Sequence, residues 1–371
     1  MGQIDGSKPL RVLMVMTSMD RGGMETFTMN VYRAINRDEI QFDFLLHRDF
    51  CGAYEEEIQR LGGRIYRIRR QNPLDPRYWA ALDKFFTEHL YHVVHVQLDC
   101  LSAIPLIVAK RHGIELRIAH SHSSKQDYDF KYPIKLFTRH FIKTYATHLL
   151  ACGEDAGKWM FCTNSFEIVP NAIDVDCYEY DPVTRTSLRK EFGIADDSIV
   201  IGHVGRFVSV KNHVRILSIF NKIHEENPTA KLILVGEGEL REKVEKYAEE
   251  LNLGDSVSLL GVRSDVSSLL QVFDVFLMPS LYEGLPMVLV EAQAAGLPCV
   301  ISDTIPSDCD FDGGLIIRES LEREDEVWVE DLIEAAGISY DRSQGSQVVK
   351  DAGFDIASLA ERLKSLYLDG E

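Results

Sequence analysis

Short apolar runs separated by helical patterns recur along the chain. The run Arg11–Thr17 is followed by Asp20-Arg21-Gly22-Gly23, then by apolar positions at helical spacing from Met24 to Ile35. A buried strand, a glycine turn and a helix make one βα unit. Gln41–Leu46, Arg64–Ile68, Val93–Gln97 and Glu115–His120 read as further strands, with helices near 54–61, 77–90 and 101–112 between them. His148–Ala151 and Glu167–Val169 add two short strands. A second alternation follows Asp181-Pro182. Its strands are Ile199–His203, Lys231–Val235, Val257–Leu260, Val275–Met278 and Cys299–Ile301, with helices near 212–226, 239–251, 265–271 and 287–295. Ile356–Leu368 has the apolar face of a last helix. The pattern predicts parallel strands joined by crossover helices, hence doubly wound α/β sheets. Ligands in such sheets bind outside the carboxyl ends of the strands, which here carry Ser18–Gly23, Gln97–Cys100 and His120–Ser124. Asn171–Pro182, with turn formers at both ends, reads as a linker.

A length of 371 residues suits two domains. The net charge of −18 argues against nucleic acid as a partner and confines any anionic contact to a local basic patch. No apolar run is long enough to span a membrane, and Met1–Pro9 lacks the apolar core of a secretory signal. The seven cysteines contain no CxxC pair, which points to a reducing cytoplasm. His92 and His95 have a metal-like spacing, but no cysteine or acidic cluster joins them.

The most informative chemistry lies at Ser280–Gly296. The strand Val275–Met278 leads to Glu283-Gly284 in a turn and to Pro286, which suits a helix start because it needs no N–H there. The N–H groups of Gly284, Leu285, Met287 and Val288 then face outward at the positive end of the helix dipole, an anion site. Glu283 precedes the helix and Glu291 lies about one turn inside, on the order of 10 Å away. Two carboxylates accept hydroxyl hydrogens at the ends of a ligand whose middle is phosphate. A nucleoside diphosphate sugar has that shape.

This spacing resembles the E-x7-E motif of glycosyltransferase family 4, a retaining family with the GT-B fold. Further segments resemble the family in order. Gly205–His213 is similar to its phosphate clamp, with Arg206 and Lys211 as the cations. Gly22-Gly23 with Glu25 is similar to its N-terminal glycine loop. Val169–Asp174 is similar to its Pro-Asn-Gly-x-Asp signature, with Ala172 in place of glycine, and Val235–Glu239 to its strand-end Gly-x-Gly. A histidine after the fifth strand stands near the reacting sugar in the family. His120 and His122 are the candidates, with His122 preferred at the strand exit.

The resemblance implies two Rossmann-like domains facing across a cleft: residues 1–175 for the acceptor, 176–355 for the nucleotide-sugar donor, and a closing helix at 356–371 that returns to the first domain. It implies transfer of a sugar, with UDP the commonest carrier, to a hydroxyl of a glycan or lipid-linked acceptor in surface polysaccharide synthesis. His122, Glu283, Arg206 and Lys211 are the expected catalytic set. Gly22, Gly23, Arg206, Lys211, Glu283, Gly284, Leu285, Pro286, Met287, Val288 and Glu291 are expected to bind substrate. The chain has four Asp-x-Asp triplets, Asp127/Asp129, Asp174/Asp176, Asp308/Asp310 and Asp310/Asp312, so the triplet carries little information. Arg206 and Lys211 supply the positive charge a metal would bring, and neither metal nor cofactor is expected. An epimerase-like enzyme or a non-catalytic nucleotide-sugar-binding protein on the same scaffold is the alternative. In Lys125–Tyr145, Lys131, Lys135, Arg139 and Lys143 recur every four residues among Tyr132, Leu136, Phe137, Phe141 and Tyr145. On a helix this is a basic stripe suited to an anionic surface, so a cytoplasmic protein peripheral on the inner membrane face is expected.

Overall fold

The computed structural model describes residues 8–123, 132–338 and 340–370. The chain forms two compact units. The first holds residues up to Ala172 together with Ile356–Glu371, and the second is Ile173–Asp355.

In the first unit the elements run β1 (Leu10–Met16), α1 (Gly23–Ala34), β2 (Ile40–Leu46), α2 (Glu55–Arg60), β3 (Arg64–Arg67), α3 (Pro76–Glu88), β4 (Val93–Val96), α4 (Ala103–Arg111), β5 (Leu116–Ser121), α5 (Tyr132–Tyr145), β6 (His148–Ala151), α6 (Glu154–Phe161) and β7 (Glu167–Ile168). All strand pairs are parallel, in the order β3-β2-β1-β4-β5-β6-β7. The continuous apolar run of β1 follows from burial on both faces. Leu10, Val12, Met14 and Met16 join one core layer, while Leu13 and Val15 join the other.

The second unit runs α7 (Pro182–Glu191), β8 (Val200–Val204), α8 (His213–Glu226), β9 (Lys231–Val235), α9 (Arg241–Glu250), β10 (Val257–Leu259), α10 (Val266–Val272), β11 (Val275–Met278), α11 (Met287–Ala294), β12 (Cys299–Ser302), β13 (Ile316–Glu319), α12 (Asp325–Gly337) and α13 (Gly345–Asp351). Its parallel sheet has the order β10-β9-β8-β11-β12-β13. The last helix, α14 (Ile356–Asp369), belongs to the first unit, where Ile356, Leu359, Leu363, Leu366 and Tyr367 complete one core layer.

Both sheets share the winding 3-2-1-4-5-6, so each reverses direction between its first and fourth strands. That reversal opens a crevice at the carboxyl ends of β1 and β4 in one unit and of β8 and β11 in the other.

Several elements differ from the sequence reading. The expected linker is ordered structure. Asp181 caps α7, accepting from the Val183 N–H at 2.9 Å, and Pro182 is the first helical residue. Ile173 pairs with Asp355 in a parallel bridge, and a 3-10 turn at Val175–Tyr178 packs beside Leu285 and Met287. Helix α7 escapes periodicity because polar groups anchor it. Arg185 and Arg189 pair with Asp274 and donate to the carbonyls of Gln271, Val272 and Phe273. Strand β13 is half-buried throughout and carries no apolar run of buried length. Ala172, where the resembled signature has glycine, has no positive φ.

Candidate active site

In the second unit, β8 and β11 deliver two loops tied to each other. The Asn212 side chain donates to the Pro279 carbonyl at 3.1 Å, and the Leu281 N–H donates to the Val210 carbonyl at 2.8 Å. Ser302 and Thr304 both donate to the Ser280 carbonyl, at 2.6 and 2.8 Å. Gly236, at φ +138°, lets β9 approach so closely that a Cβ there would lie 2.0 Å from the Gly205 oxygen. Gly238 makes the same approach to the Phe207 backbone. The Gly-x-Gly thus has a steric reason: it seats the loop that carries Arg206 and Lys211.

Lys211 and Glu283 meet in an ion pair, Nζ to Oε1 2.7 Å, with both side chains mostly buried. Arg206 is exposed one turn of chain away. Glu283-Gly284-Leu285-Pro286 leads into α11, whose first residue is Met287; Pro286 occupies the cap position, one residue earlier than its expected place inside the helix. The opening N–H groups of α11, at Met287 and Val288, have no acceptor within the helix. Gly296, φ +59°, ends it against the Arg342 backbone, and Arg342 donates to the carbonyls of Leu270, Phe273 and Ala295. Glu291 sits on α11 and accepts a hydrogen bond from Tyr178. Burial raises the carboxyl pKa, and the Tyr178 bond opposes that shift. Tyr178 was not found from the sequence: it lay in the supposed linker, and nothing in its spacing marks a partner for Glu291.

His203 lies under the same loop. Its Nδ1 donates to the Leu277 carbonyl at 2.8 Å, and its Nε2 points toward Gly205, where a Cβ would stand 2.8 Å away. His213, the first residue of α8, stacks on Phe207 at 4.2 Å between centroids. Burial holds its pKa down at about 4.

In the first unit, Gly22 caps α1 and Gly23 opens it. A Cβ on Gly22 would meet Glu25 Oε2 at 2.4 Å, so this glycine lets the Glu25 carboxylate fold back over the turn. Burial raises the Glu25 pKa, and the nearby charges of Asp20 and Asp99 add to it. Asp99 itself adopts φ +48°, a conformation that costs an ordinary residue about 1–2 kcal/mol. His120 and His122 face one side, their rings 4.0 Å apart, with Phe27 against both. Desolvation holds His122 down at about 3, opposed by Asn171 beside it. Gln97 Nε2 is buried without a protein hydrogen-bond partner, and the open nitrogens of His120 and His122 have only the Val169 carbonyl and the Asn171 side chain near them, neither at full hydrogen-bond geometry. His95 bonds to Tyr367 and to His120, and so is committed to the core.

Among the described residues no group of three or more His, Cys, Asp or Glu is arranged to hold a metal ion. Ser124, Lys125, Asp127, Asp129 and Lys131 lie outside the described residues. A hollow of about 440 Å³ lies at the opposite, amino-terminal edge of the first sheet. Two of its charges are committed to each other: Arg11 pairs with Asp43 at 2.5 Å, and Asp43 also accepts from Tyr91.

The glycosyl transferases group 1 model matches residues 184–311, and the glycosyl transferase 4-like domain model matches residues 22–162. A protein named as a glycosyltransferase, EpsF of Bacillus subtilis (strain 168), is 37% identical over 97% of both chains. The UDP-Gal:alpha-D-GlcNAc-diphosphoundecaprenol alpha-1,3-galactosyltransferase of Escherichia coli is 26% identical over 80% of each. Among solved structures, HepE of Anabaena in complex with UDP superposes with TM-score 0.77 at 17% identity, covering 95% of this chain and 98% of that one. The GT-B likeness thus agrees with the two α/β units, and the extent of the EpsF match settles the family. The chain belongs to the group 1 glycosyltransferases, the retaining enzymes of family 4.

Proposed function

We propose that this glycosyltransferase moves a sugar from a UDP-sugar to a hydroxyl of a lipid-linked glycan during surface polysaccharide synthesis, residues 173–355 holding the donor and the first unit the acceptor. The carrying observation is the set of groups around the start of α11. A cation, Lys211, a carboxylate, Glu283, and free helical N–H groups stand together at the crevice of the second sheet, with Glu291 buried further along the helix. Arg206, Lys211 and the N–H groups of Gly284, Leu285, Met287 and Val288 take the diphosphate. Pro286 fixes the turn. Glu283 takes the sugar hydroxyls and Glu291 the ribose. The two cations stabilise charge on the leaving diphosphate, so no metal is required. Gly22 and Gly23 let the backbone approach the acceptor, and His122 stands at the reacting sugar.

The proposed acceptor draws support from α5 and from the E. coli relative, whose name specifies a diphosphoundecaprenol acceptor. Phe137 is 67% exposed and Phe141 37%, with ring centroids 5.2 Å apart, and Lys143 is exposed further along the helix. Such a face suits the headgroup region of a cytoplasmic leaflet. Among the described residues no helix is long and apolar enough to cross a membrane.

A thermal-shift screen of nucleoside diphosphates and their sugars tests the donor, since a ligand that binds only the folded state raises Tm. UDP-sugars are expected to shift it. A panel in which none shifts Tm, or one in which another base does so alone, overturns the UDP assignment. Slow hydrolysis of radiolabelled donor separates an enzyme from a binder.

A further inference from the structure

Four rings form a file through the first unit, buried at Tyr367, His95 and His120 and half-buried at His122. Tyr367 on α14 places its hydroxyl 2.8 Å from Nδ1 of His95 on β4. His95 Nε2 lies 3.2 Å from Nδ1 of His120 on β5. The His120 ring is 4.0 Å from that of His122. The register Val96↔Ala119 places His95, Gln97 and His120 on one face of the sheet, the face that Phe27 of α1 and Tyr367 of α14 cover. Tyr367, His95 and His120 are each at most 3% exposed. Burial keeps both imidazoles neutral, so each ring has one N–H and one lone pair.

Two hydrogen arrangements fit these distances. In the first, Tyr367 donates to His95 Nδ1, His95 Nε2 donates to His120 Nδ1, and His120 carries its hydrogen on Nε2. In the second, every bond reverses. His120 then donates from Nδ1, and its Nε2 is a bare lone pair. The reversed file makes Tyr367 an acceptor and turns its O–H into an apolar layer, where the ring lies edge-on to Phe42. Either arrangement leaves one buried donor to satisfy, the His120 Nε2–H or the Tyr367 O–H, and a buried donor without an acceptor is the costlier outcome. The Val169 carbonyl near His120 also favours a proton on the ring's remaining nitrogen.

We propose that Tyr367, acting through His95, fixes His120 as its Nε2–H tautomer, so that this nitrogen of His120 is a donor toward the substrate site and not a base. Tyr367 and His95 are then positioning residues, and proton acceptance in this file falls to His122 alone. The inference rests on the reading that His120 and His122 stand at the reacting centre.

Long-range 1H–15N correlation of the histidine rings tests it, with signals assigned from His95→Asn and His120→Asn variants. In the wild type, both His95 and His120 are expected to show a protonated Nε2 and a bare Nδ1. In Tyr367→Phe, the His95 signals are expected to move to the other tautomer or to double. The same variant is expected to lose kcat by about tenfold with the donor KM unchanged, the effect of one lost oriented hydrogen bond. A wild-type His120 protonated on Nδ1 overturns the proposal, as do unchanged tautomers in Tyr367→Phe. Changed tautomers with unchanged kcat overturn the positioning role. Full activity in His122→Ala would instead refute the placement of these histidines at the reacting centre, while the spectra still judge the tautomer.

Discussion

Lys211 and Glu283 share one ion pair, so a diphosphate arriving at Lys211 competes with a carboxylate already there. Glu283→Gln is therefore expected to lower transfer by about 10²-fold while UDP binds as well as before or more tightly, since Lys211 is released. Calorimetry with UDP checks this. A weakened UDP affinity equal to that of Glu291→Gln would show that the two carboxylates do not divide the donor between them. Arg206→Ala and Lys211→Ala are each expected to reduce turnover strongly, with wild-type activity intact in EDTA. Activity that disappears in EDTA and returns with magnesium or manganese would overturn the metal-free reading. Glu291 offers a stability test. Its burial disfavours the ionised form, so its folded pKa is raised and the carboxylate is destabilising above that pKa. Glu291→Gln is expected to raise Tm at neutral pH by about 2–4 °C, the response of a domain this size to roughly 1 kcal/mol. That gain should vanish as the pH falls below the ordinary carboxyl range, where both side chains are neutral.

At the scale of elements, legibility followed the way each one is anchored. Strands buried on both faces, such as β1, β9 and β11, stand out as apolar runs, and the loops at their carboxyl ends were found with them. Helix α7 and strand β13 did not stand out, because arginine–carbonyl bonds and half-burial leave no periodic signal. The candidate donor residues could be read because glycine, proline and glutamate at fixed offsets report a turn and a helix start. Tyr178 and the His95–Tyr367 contact could not, since pairing across 113 and 272 residues leaves no local mark. Helix α5 shows the limit of spacing arguments. Of the four expected cations Lys131 lies outside the described residues, and Arg139 turns inward, donating to the Trp159 carbonyl at 2.9 Å with its guanidinium over that ring. The outward face is carried instead by Phe137, His140, Phe141 and Lys143. Phe137→Ser/Phe141→Ser is therefore expected to reduce flotation with anionic liposomes more than Lys135→Gln/Lys143→Gln does. Equal flotation of the wild type and both variants would leave α5 an ordinary solvated face.

On the scale of the whole molecule, buried neutral histidines set the response to acid. In the first unit His47, His95 and His122 are held down near 3 to 4 and His120 well below its ordinary value; in the second, His213 is held at about 4 and His203 well below. Unfolded, each takes a proton near pH 6.5, so stability is full above that value and is lost as the pH falls toward the folded pKa. The cost is about 1.4 kcal/mol per histidine per pH unit. Scanning calorimetry is expected to show the first unit losing about 10 °C or more between pH 7 and 5.5. Across the same range the kcat/KM profile should show no limb from His122. The division of the chain carries a further consequence. Residues up to Ala172 leave the ribosome first, yet the core layer built on Met14 and Ile118 is closed only by α14. The second unit is about 180 residues long, and its ends meet at the Ile173–Asp355 bridge. At about 5–20 residues per second, the nascent first unit waits roughly 10–40 s with its apolar surface open. During that interval the middle of the protein can finish folding before the beginning does, and a chaperone that shields bare α1 and β5 would act on the nascent chain and not on the finished enzyme.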